Sequence, residues 1–163
     1  MNEQISGQEQ IKQKVELKTL SVHDAENYFK LIDDNREYFG NFDNLDPNKY
    51  QNVKEVVEVL NSSDKIRHGI YRGGDLIGTI NLQGIARQKD KTAEIGYLVA
   101  EKCAGQGIAT EALLRLIGDV HGKFKFLIAD AHINNIASQK VLEKAGFEKI
   151  GIKGDKYYFK KVL

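Results

Sequence analysis

Cysteine is nearly absent from this 163-residue chain, which contains only Cys103. A single cysteine cannot form an internal disulfide, and the missing disulfide framework suits a reducing compartment. Long apolar runs are missing too, since no stretch approaches the roughly 20 residues needed to span a bilayer. Residues 1–10 also lack the apolar segment of a signal peptide. These absences predict a cytoplasmic protein with no membrane partner.

A surplus of charge of either sign is also missing, because 24 Lys and Arg residues offset 23 Asp and Glu residues. The net charge of +1 creates no overall field that attracts nucleic acid, so we do not expect a nucleic-acid partner. No Cys or His cluster has metal-ligand spacing, and no metal site is predicted. The four histidines are His23, His68, His121 and His132.

The length and the 41% hydrophobic content fit one globular domain whose core needs no metal or disulfide. We place this domain at residues 15–163, after a polar, flexible segment at 1–14. Apolar spacing then predicts the secondary structure. The predicted strands cover Val15 to Leu20, Gly69 to Arg72, Leu76 to Leu82, Thr92 to Ala100, Phe124 to His132, Gly146 to Ile152 and Lys156 to Val162.

Four helices are predicted between these strands. The first follows Ser21 and Asp24, which have capping-box spacing, and the second begins at Pro47 with Asp46 as its cap. The other two begin near Ile108 and at Ile136. The predicted order is β-α-α-β-β-β-α-β-α-β-β. Because each helix has one apolar stripe to bury, we expect an α/β fold with helices on the faces of a mixed sheet, a three-layer α/β/α arrangement.

A glycine-containing loop lies between the strand that ends near Ala100 and the helix that begins near Ile108. Gly105 and Gly107 allow a sharp turn and a close approach of ligand to backbone. The free N–H groups and the dipole at the helix start suit a pyrophosphate, and Thr110 adds a hydroxyl donor. The loop lacks the lysine ending of a P-loop and the third glycine of a dinucleotide fingerprint. Taken alone, it fits a turn without a ligand equally well.

A second segment, AHINNIASQKVLEKAGF, follows at residues 131–147. Asn135 precedes a helix that carries Ser138 and ends at Gly146, and by itself Asn135 fits a simple helix cap equally well. Together the two segments resemble the Gcn5-related N-acetyltransferase (GNAT) superfamily, and within it the RimJ/RimL-like group. Residues 105–112 are similar to the family's pyrophosphate loop, 135–147 to its second acetyl-CoA segment, and 94–97 to its central strand.

The resemblance covers about residues 15 to 160 and implies the GNAT fold, with acetyl-CoA as co-substrate. It implies that Lys102 stands where the family often has Arg or Gln, which affects loop geometry and affinity. The implied acetyl-CoA contacts are Leu98, Val99, Lys102, Cys103, Ala104, Gly105, Gln106, Gly107, Ile108, Ala109, Thr110, Asn135 and Ser138.

The same resemblance implies catalytic roles for a few side chains. Glu94, on the central strand, is the candidate general base, directly or through water; a substrate-orienting carboxylate is the alternative. The Val99 N–H is the candidate oxyanion donor. Ser138 is the candidate proton donor to the thiolate; a bond within its own helix is the alternative. Cys103 lacks a base partner and is interpreted as a bystander. For the tyrosines that are alternative acids, Tyr97, Tyr157 and Tyr158, core packing is expected.

The acceptor is the remaining question. The resemblance implies acetylation of the N-terminal α-amine of a protein. The alternatives are a small-amine acetyltransferase, acting on a polyamine, amino acid or antibiotic, and a non-catalytic acyl-CoA-binding module. We expect residues 35–60 and 87–91 to build most of the acceptor region. A homodimer is left open.

Overall fold

A computed structural model describes residues 13–84 and 90–163. Within these residues, seven strands form one mixed sheet in the order β1-β2-β3-β4-β5-β7-β6. Neighbouring strands are antiparallel except for the parallel pair β4 and β5. The strands are β1 (Glu16–Thr19), β2 (Lys65–Arg72), β3 (Asp75–Gln83), β4 (Thr92–Val99), β5 (Phe126–His132), β6 (Glu148–Lys153) and β7 (Lys156–Val162).

Five α-helices cover the two faces of the sheet in the described part of the chain. They are α1 (Ala25–Asp34), α2 (Arg36–Gly40), α3 (Val53–Leu60), α4 (Ile108–Val120) and α5 (Ile136–Lys144). On one face, Ile32 of α1 and Val56 of α3 are fully buried in one core cluster. On the other face, Leu113 of α4 and Leu142 of α5 are fully buried in a second cluster. The expected three-layer α/β fold is confirmed.

Strong local signals predicted several elements well. The turn between β2 and β3 uses Gly73 and Gly74, whose φ angles of 60° and 88° lie in the left-handed region that a two-residue hairpin requires. The Ser21 backbone N–H donates to Asp24 Oδ2 at 2.8 Å, as a capping box predicts. This box begins a 3-10 turn that leads directly into α1.

The predicted start of the second long helix is wrong. Asp46 Oδ1 accepts a hydrogen bond from the Asn48 N–H at 2.9 Å, so Asp46 and Pro47 form a local turn instead of a helix start. The helix, α3, begins six residues later at Val53, where Asn52 Oδ1 accepts from the Glu55 N–H at 3.0 Å. The short α2 in the segment expected to be turns was not predicted.

The two parallel strands separate partway along their length. Pairing between β4 and β5 covers only Thr92–Glu94 with Phe126–Ile128, although both strands continue beyond it. The Ala100 N–H donates to the Ile77 carbonyl of β3 at 2.8 Å. Because backbone groups alternate between the two edges of a strand, the preceding Val99 N–H points the other way, into the gap. We call this gap between β4 and β5 the seam.

Two sequence-based predictions concern segments that are largely undescribed. Of the N-terminal segment, residues 1–12 lie outside the described residues, and so do residues 85–89 of the loop before β4. No helix among the described residues combines the length and apolar character needed to cross a bilayer.

Candidate active site

A cavity of about 380 Å³ opens at the seam, and we call it the seam cavity. Most of the residues predicted to contact a coenzyme line it. They come from the end of β4, the loop before α4, the first turn of α4 and the start of α5. These residues are Leu98, Val99, Cys103, Ala104, Gly105, Gly107, Ile108, Ala109, Thr110, Asn135 and Ser138.

The glycine loop presents open backbone to this cavity. Gly105 and Gly107 have φ angles of 71° and 77°, and a Cβ built on either would meet no atom within 4 Å. Gly107 is the N-cap of α4, and its carbonyl accepts the first intrahelical bond, from Glu111. The three N–H groups before Glu111 therefore have no acceptor within the helix. This arrangement suits an anion at the loop.

The other two residues of the predicted loop set, Lys102 and Gln106, do not line the cavity. Gln106 Oε1 accepts from Arg72 Nη1 at 2.6 Å, and Gln106 Nε2 donates to the Lys102 carbonyl at 3.2 Å. Arg72 Nη2 also donates to Cys103 Sγ at 3.3 Å. Arg72, which the sequence did not single out, thus holds the loop from the hairpin side.

Asn135 and Ser138 hold the opposite wall of the seam cavity. Asn135 Oδ1 accepts from the Ser138 N–H at 3.1 Å, so Asn135 caps α5 while it also lines the cavity. Ser138 Oγ lies 2.9 Å from the hydroxyl of Tyr97, and that hydroxyl also donates to the Ser138 carbonyl at 3.2 Å. Burial raises the pKa of Tyr97 to about 12, although the Ser138 hydrogen bond acts in the opposite direction. Tyr97 therefore remains protonated at neutral pH.

Tyr97 is the residue that sequence reasoning undervalued. Its expected packing role is correct in part, because its ring contacts the core cluster beneath α4 and α5. Its hydroxyl, however, reaches the cavity beside Ser138, which strand alternation alone does not reveal. Tyr157 and Tyr158 line neither this cavity nor the cavity that contains Glu94.

Glu94 lies in a second cavity of about 240 Å³ on the α1–α3 side of the sheet, which we call the polar cavity. Four residues line both cavities, which therefore adjoin: Asn44, Tyr97, Leu98 and Ser138. Further polar residues surround Glu94 in this space. They are Tyr28, Tyr50, Lys65, Arg67, Asn81, Gln83, Asp130 and Lys156. Glu94 and the glycine loop thus lie in different cavities, and Tyr97 and Ser138 line both of them.

Several lining residues had no recognisable signal in the sequence. Lys140 and Lys144, one turn apart on α5, line the seam cavity and add positive charge to it. Phe42 lines it from the segment after α2, with its ring centroid 5.5 Å from that of His132. Within the described residues, no group of three His, Cys, Asp or Glu side chains could hold a metal ion.

Residues 14–148 match the family described as Acetyltransferase (GNAT) domain. Bacillus subtilis (strain 168) has a relative named "Probable N-acetyltransferase YjcK", which is 34% identical over 147 residues, or 83% of this chain and 81% of the relative. The ribosomal-protein-serine acetyltransferase of Escherichia coli (strain K12) is 35% identical over 80 residues, or 48% of this chain and 44% of that protein.

Two solved structures share the fold. The microcin C7 self immunity acetyltransferase MccE, in complex with acetyl-CoA and AMP, has a TM-score of 0.82 at 22% identity, covering 92% of this chain and 93% of that one. RimL, a ribosomal L7/L12 alpha-N-protein acetyltransferase in complex with coenzyme A, has a TM-score of 0.83 at 19% identity, covering 92% and 94%.

Proposed function

This chain belongs to the acetyltransferase (GNAT) family and is an N-acetyltransferase, and from that premise we propose that it transfers acetyl from acetyl-CoA to the N-terminal α-amine of a protein. The observation that carries the proposal is the meeting of two cavities at Tyr97 and Ser138. One cavity suits a pyrophosphate and the other is polar, as an acceptor amine requires. The E. coli relative, named for a ribosomal-protein acceptor, supports this class of acceptor.

Acetyl-CoA would supply the activated acetyl group, and its fit is supported by the open seam. The α4 N-terminus and the glycine loop would hold the diphosphate, with Lys140 and Lys144 adding positive charge. The seam leaves backbone groups of β4 beyond Glu94 without a β5 partner, so a pantetheine arm can pair there. The Val99 N–H would donate to the thioester oxygen as negative charge develops on it.

Proton transfer is assigned to residues at the junction of the cavities. An α-amine has an ordinary pKa of about 7.7–8.0, so a modest base is sufficient to provide the neutral nucleophile. Glu94 would accept its proton, directly or through water. The Tyr97–Ser138 pair, whose side-chain oxygens lie 2.9 Å apart, would donate the proton to the departing sulfur. The amine nitrogen gains the acetyl carbon, and the C–S bond breaks.

The test is thiol release from acetyl-CoA with a panel of N-terminal peptides, polyamines, amino acids and aminoglycosides. We expect peptides to be acetylated with the highest kcat/KM. Turnover of only small amines would replace the protein acceptor with the alternative small-amine function. Acetyl-CoA binding without turnover of any amine would indicate a non-catalytic binding module.

A variant pair tests the base. Glu94→Gln should lower kcat by about 100-fold or more while leaving acetyl-CoA affinity intact, with the loss easing at high pH as more of the acceptor amine is neutral. Glu58→Gln, an exposed position on α3 outside both cavities, is the matched control. An unchanged pH–rate profile in Glu94→Gln would remove Glu94 as the base.

A further inference from the structure

The floor of the polar cavity is built by paired side chains from three adjacent strands. Lys65 of β2 pairs with Gln83 of β3, and Gln83 pairs with Glu94 of β4. In the next row, Arg67 pairs with Asn81. Directly paired residues share a face of the sheet, so these five side chains form one polar surface. We call it the polar floor.

The charges on this floor are not balanced within the described residues. Arg67 is only 8% exposed, and its Nη1 donates to the Val59 carbonyl at 2.7 Å. No described carboxylate forms an ion pair with Lys65 or Arg67, whereas Lys156 pairs with Asp130 at 2.9 Å in the same cavity. Buried charges without a partner are costly in proteins. The floor therefore favours an anion near Lys65 and Arg67.

Within the described residues, the neighbouring groups do not neutralise both cations, because Glu94 is the only carboxylate on the floor and forms no ion pair with either. The Tyr28 hydroxyl lies beside Arg67, but burial raises the pKa of Tyr28 to about 12, so it is neutral at physiological pH. Burial lowers the pKa of Lys65, and the Arg67 charge lowers it further; the Glu94 and Asp64 charges act in the opposite direction but do not reverse the shift. Asn81 Oδ1 is buried without a hydrogen-bond partner among the described residues, so it can accept from a bound donor.

Resting on the proposed function, we propose that the acceptor carries a carboxylate close to its reacting amine, held by Lys65 and Arg67. Glu94 and Asn81 Oδ1 take the N–H groups of the same acceptor. Lys65 and Glu94 lie on the same face, two strands apart, so their backbones are separated by about 10 Å at a strand spacing of about 4.8 Å. That spacing fits an amine and a carboxylate within one or two residues of each other.

Two sources can provide this chemistry, and the experiment separates them. The peptides begin Asp-Ala, Ala-Asp, Ala-Ala and Ala-Lys on one common tail, and free aspartate and alanine provide the amino-acid arm. Thiol release gives kcat/KM for each acceptor. We expect the acidic peptides to exceed Ala-Ala by about tenfold or more, the range expected for hydrogen bonds between charged groups. If the kcat/KM of free aspartate exceeds that of every peptide, the floor binds a carboxylate but the acceptor is an amino acid.

The variants test whether the floor causes the preference. Lys65→Met should reduce the ratio of kcat/KM for acidic over neutral peptides about tenfold, mainly through KM. Lys65→Glu should shift the preference toward Ala-Lys. Lys123→Met, at an exposed position after α4 and outside both cavities, removes the same charge and should leave the ratio unchanged. Lys65 is used because replacing the buried Arg67 would risk unfolding.

The outcomes distinguish the two proposals. Equal or better turnover of Ala-Ala or Ala-Lys overturns the carboxylate inference and leaves N-terminal acetylation intact. An acidic preference that persists in Lys65→Glu also overturns it. Absence of turnover with every peptide overturns the protein-acceptor function, and the assignment of an acidic peptide falls with it.

Discussion

At the scale of single residues, Gly107 tests the anion site most directly. It caps α4 with a left-handed backbone, and a Cβ there would meet no atom within 4 Å. We expect Gly107→Asp to weaken acetyl-CoA binding by about tenfold or more, because its carboxylate would stand at the proposed diphosphate position. Isothermal titration calorimetry measures the change, which should shrink as salt screens the repulsion.

Gly107→Asn is the matched control for this substitution. Asparagine has nearly the same shape as aspartate and tolerates the left-handed region equally well, so the two variants differ in charge alone. Equal affinity in the two variants would contradict an anion at the α4 N-terminus.

Tyr97 and Ser138 allow a second test at this scale. Their oxygens lie 2.9 Å apart, so we expect them to act as one proton-donating unit. Tyr97→Phe and Ser138→Ala should each lower kcat by about tenfold to 100-fold with little change in acetyl-CoA affinity. The kcat of the double variant should be scarcely lower than that of the less active single variant, because the effects of groups that act as a unit are not additive.

The pH profile adds an independent check on this pair. Since burial raises the pKa of Tyr97 from 10.0 to about 12, its protonated form persists through pH 10. The Tyr97→Phe variant and the parent should therefore keep a constant activity ratio up to that pH. Fully additive losses in kcat would show that the two hydroxyls act independently. An activity ratio that converges between pH 9 and 10 would show that Tyr97 loses its proton in that range.

At the scale of elements, β4 divides the site into its two cavities. Gly96 lines the polar cavity but not the seam cavity, and a Cβ on it would enter open space. We expect Gly96→Leu to raise the acceptor KM by about tenfold or more while leaving acetyl-CoA affinity unchanged. Gly118→Ala, on an exposed turn of α4 with open space around it, is the control for adding a side chain. Loss of acetyl-CoA binding in Gly96→Leu would show that the cavities are not separate.

Elements with local signals could be predicted from the sequence. The Gly73-Gly74 turn, the Ser21–Asp24 box and the glycine loop before α4 each depend on a few neighbouring residues. The start of α3 failed for the same reason, because Asp46-Pro47 and Asn52 both carry cap chemistry. In the structure Asp46 accepts from the Asn48 N–H within a turn, whereas Asn52 accepts from the Glu55 N–H at the start of α3.

The polar floor could not be predicted, because it depends on strand order. Lys65, Gln83 and Glu94 are far apart in the sequence and meet through the register of three strands. The predicted strand begins at Gly69, so Lys65 and Arg67 lie outside it, and no local pattern marks them as part of a site. No local pattern marks Arg72 either, whose contact with Gln106 crosses 34 positions of the chain.

At the scale of the whole molecule, His68 links stability to pH. It lies on β2 with Nδ1 buried and without a partner among the described residues. Burial lowers its pKa below the ordinary 6.5, although the Ile80 backbone and the Asp119 charge act in the opposite direction. The unfolded chain then binds the proton more strongly, so this stability is present above pH 6.5 and is lost as pH falls through the lowered pKa.

We expect His68→Gln to lose less thermal stability than the parent between pH 7.5 and 5.5. The difference should be a few degrees, since about 1 kcal/mol shifts the Tm of a domain this size by about 2–4 °C. Exposed His23→Gln is the control. Calorimetric scans at both pH values measure the loss of Tm in each protein. Equal losses of Tm in the parent and in His68→Gln would exclude His68 as the cause.

The seam connects the two sides of the whole sheet. Strands β1 to β4 meet β5, β7 and β6 through only three residue pairs within the described sheet, and helices α4 and α5 join the same two sides across the opening. A ligand that pairs with β4 and contacts both helices would join these sides, and it cannot bind the unfolded chain. Acetyl-CoA at about 100 times its Kd should therefore stabilise the fold by about 2.7 kcal/mol, or roughly 5–11 °C in Tm.

Desulfo-CoA, which keeps the diphosphate and most of the pantetheine arm, should give most of this shift, whereas adenosine diphosphate alone should give less. Hydrogen exchange should fall at the Tyr97 and Val99 amides, because these β4 N–H groups face β5 beyond the paired residues. If the adenosine diphosphate shift equals the acetyl-CoA shift and these amides stay unprotected, the ligand occupies the loop without entering the seam. The strand opening would then have no part in holding the coenzyme.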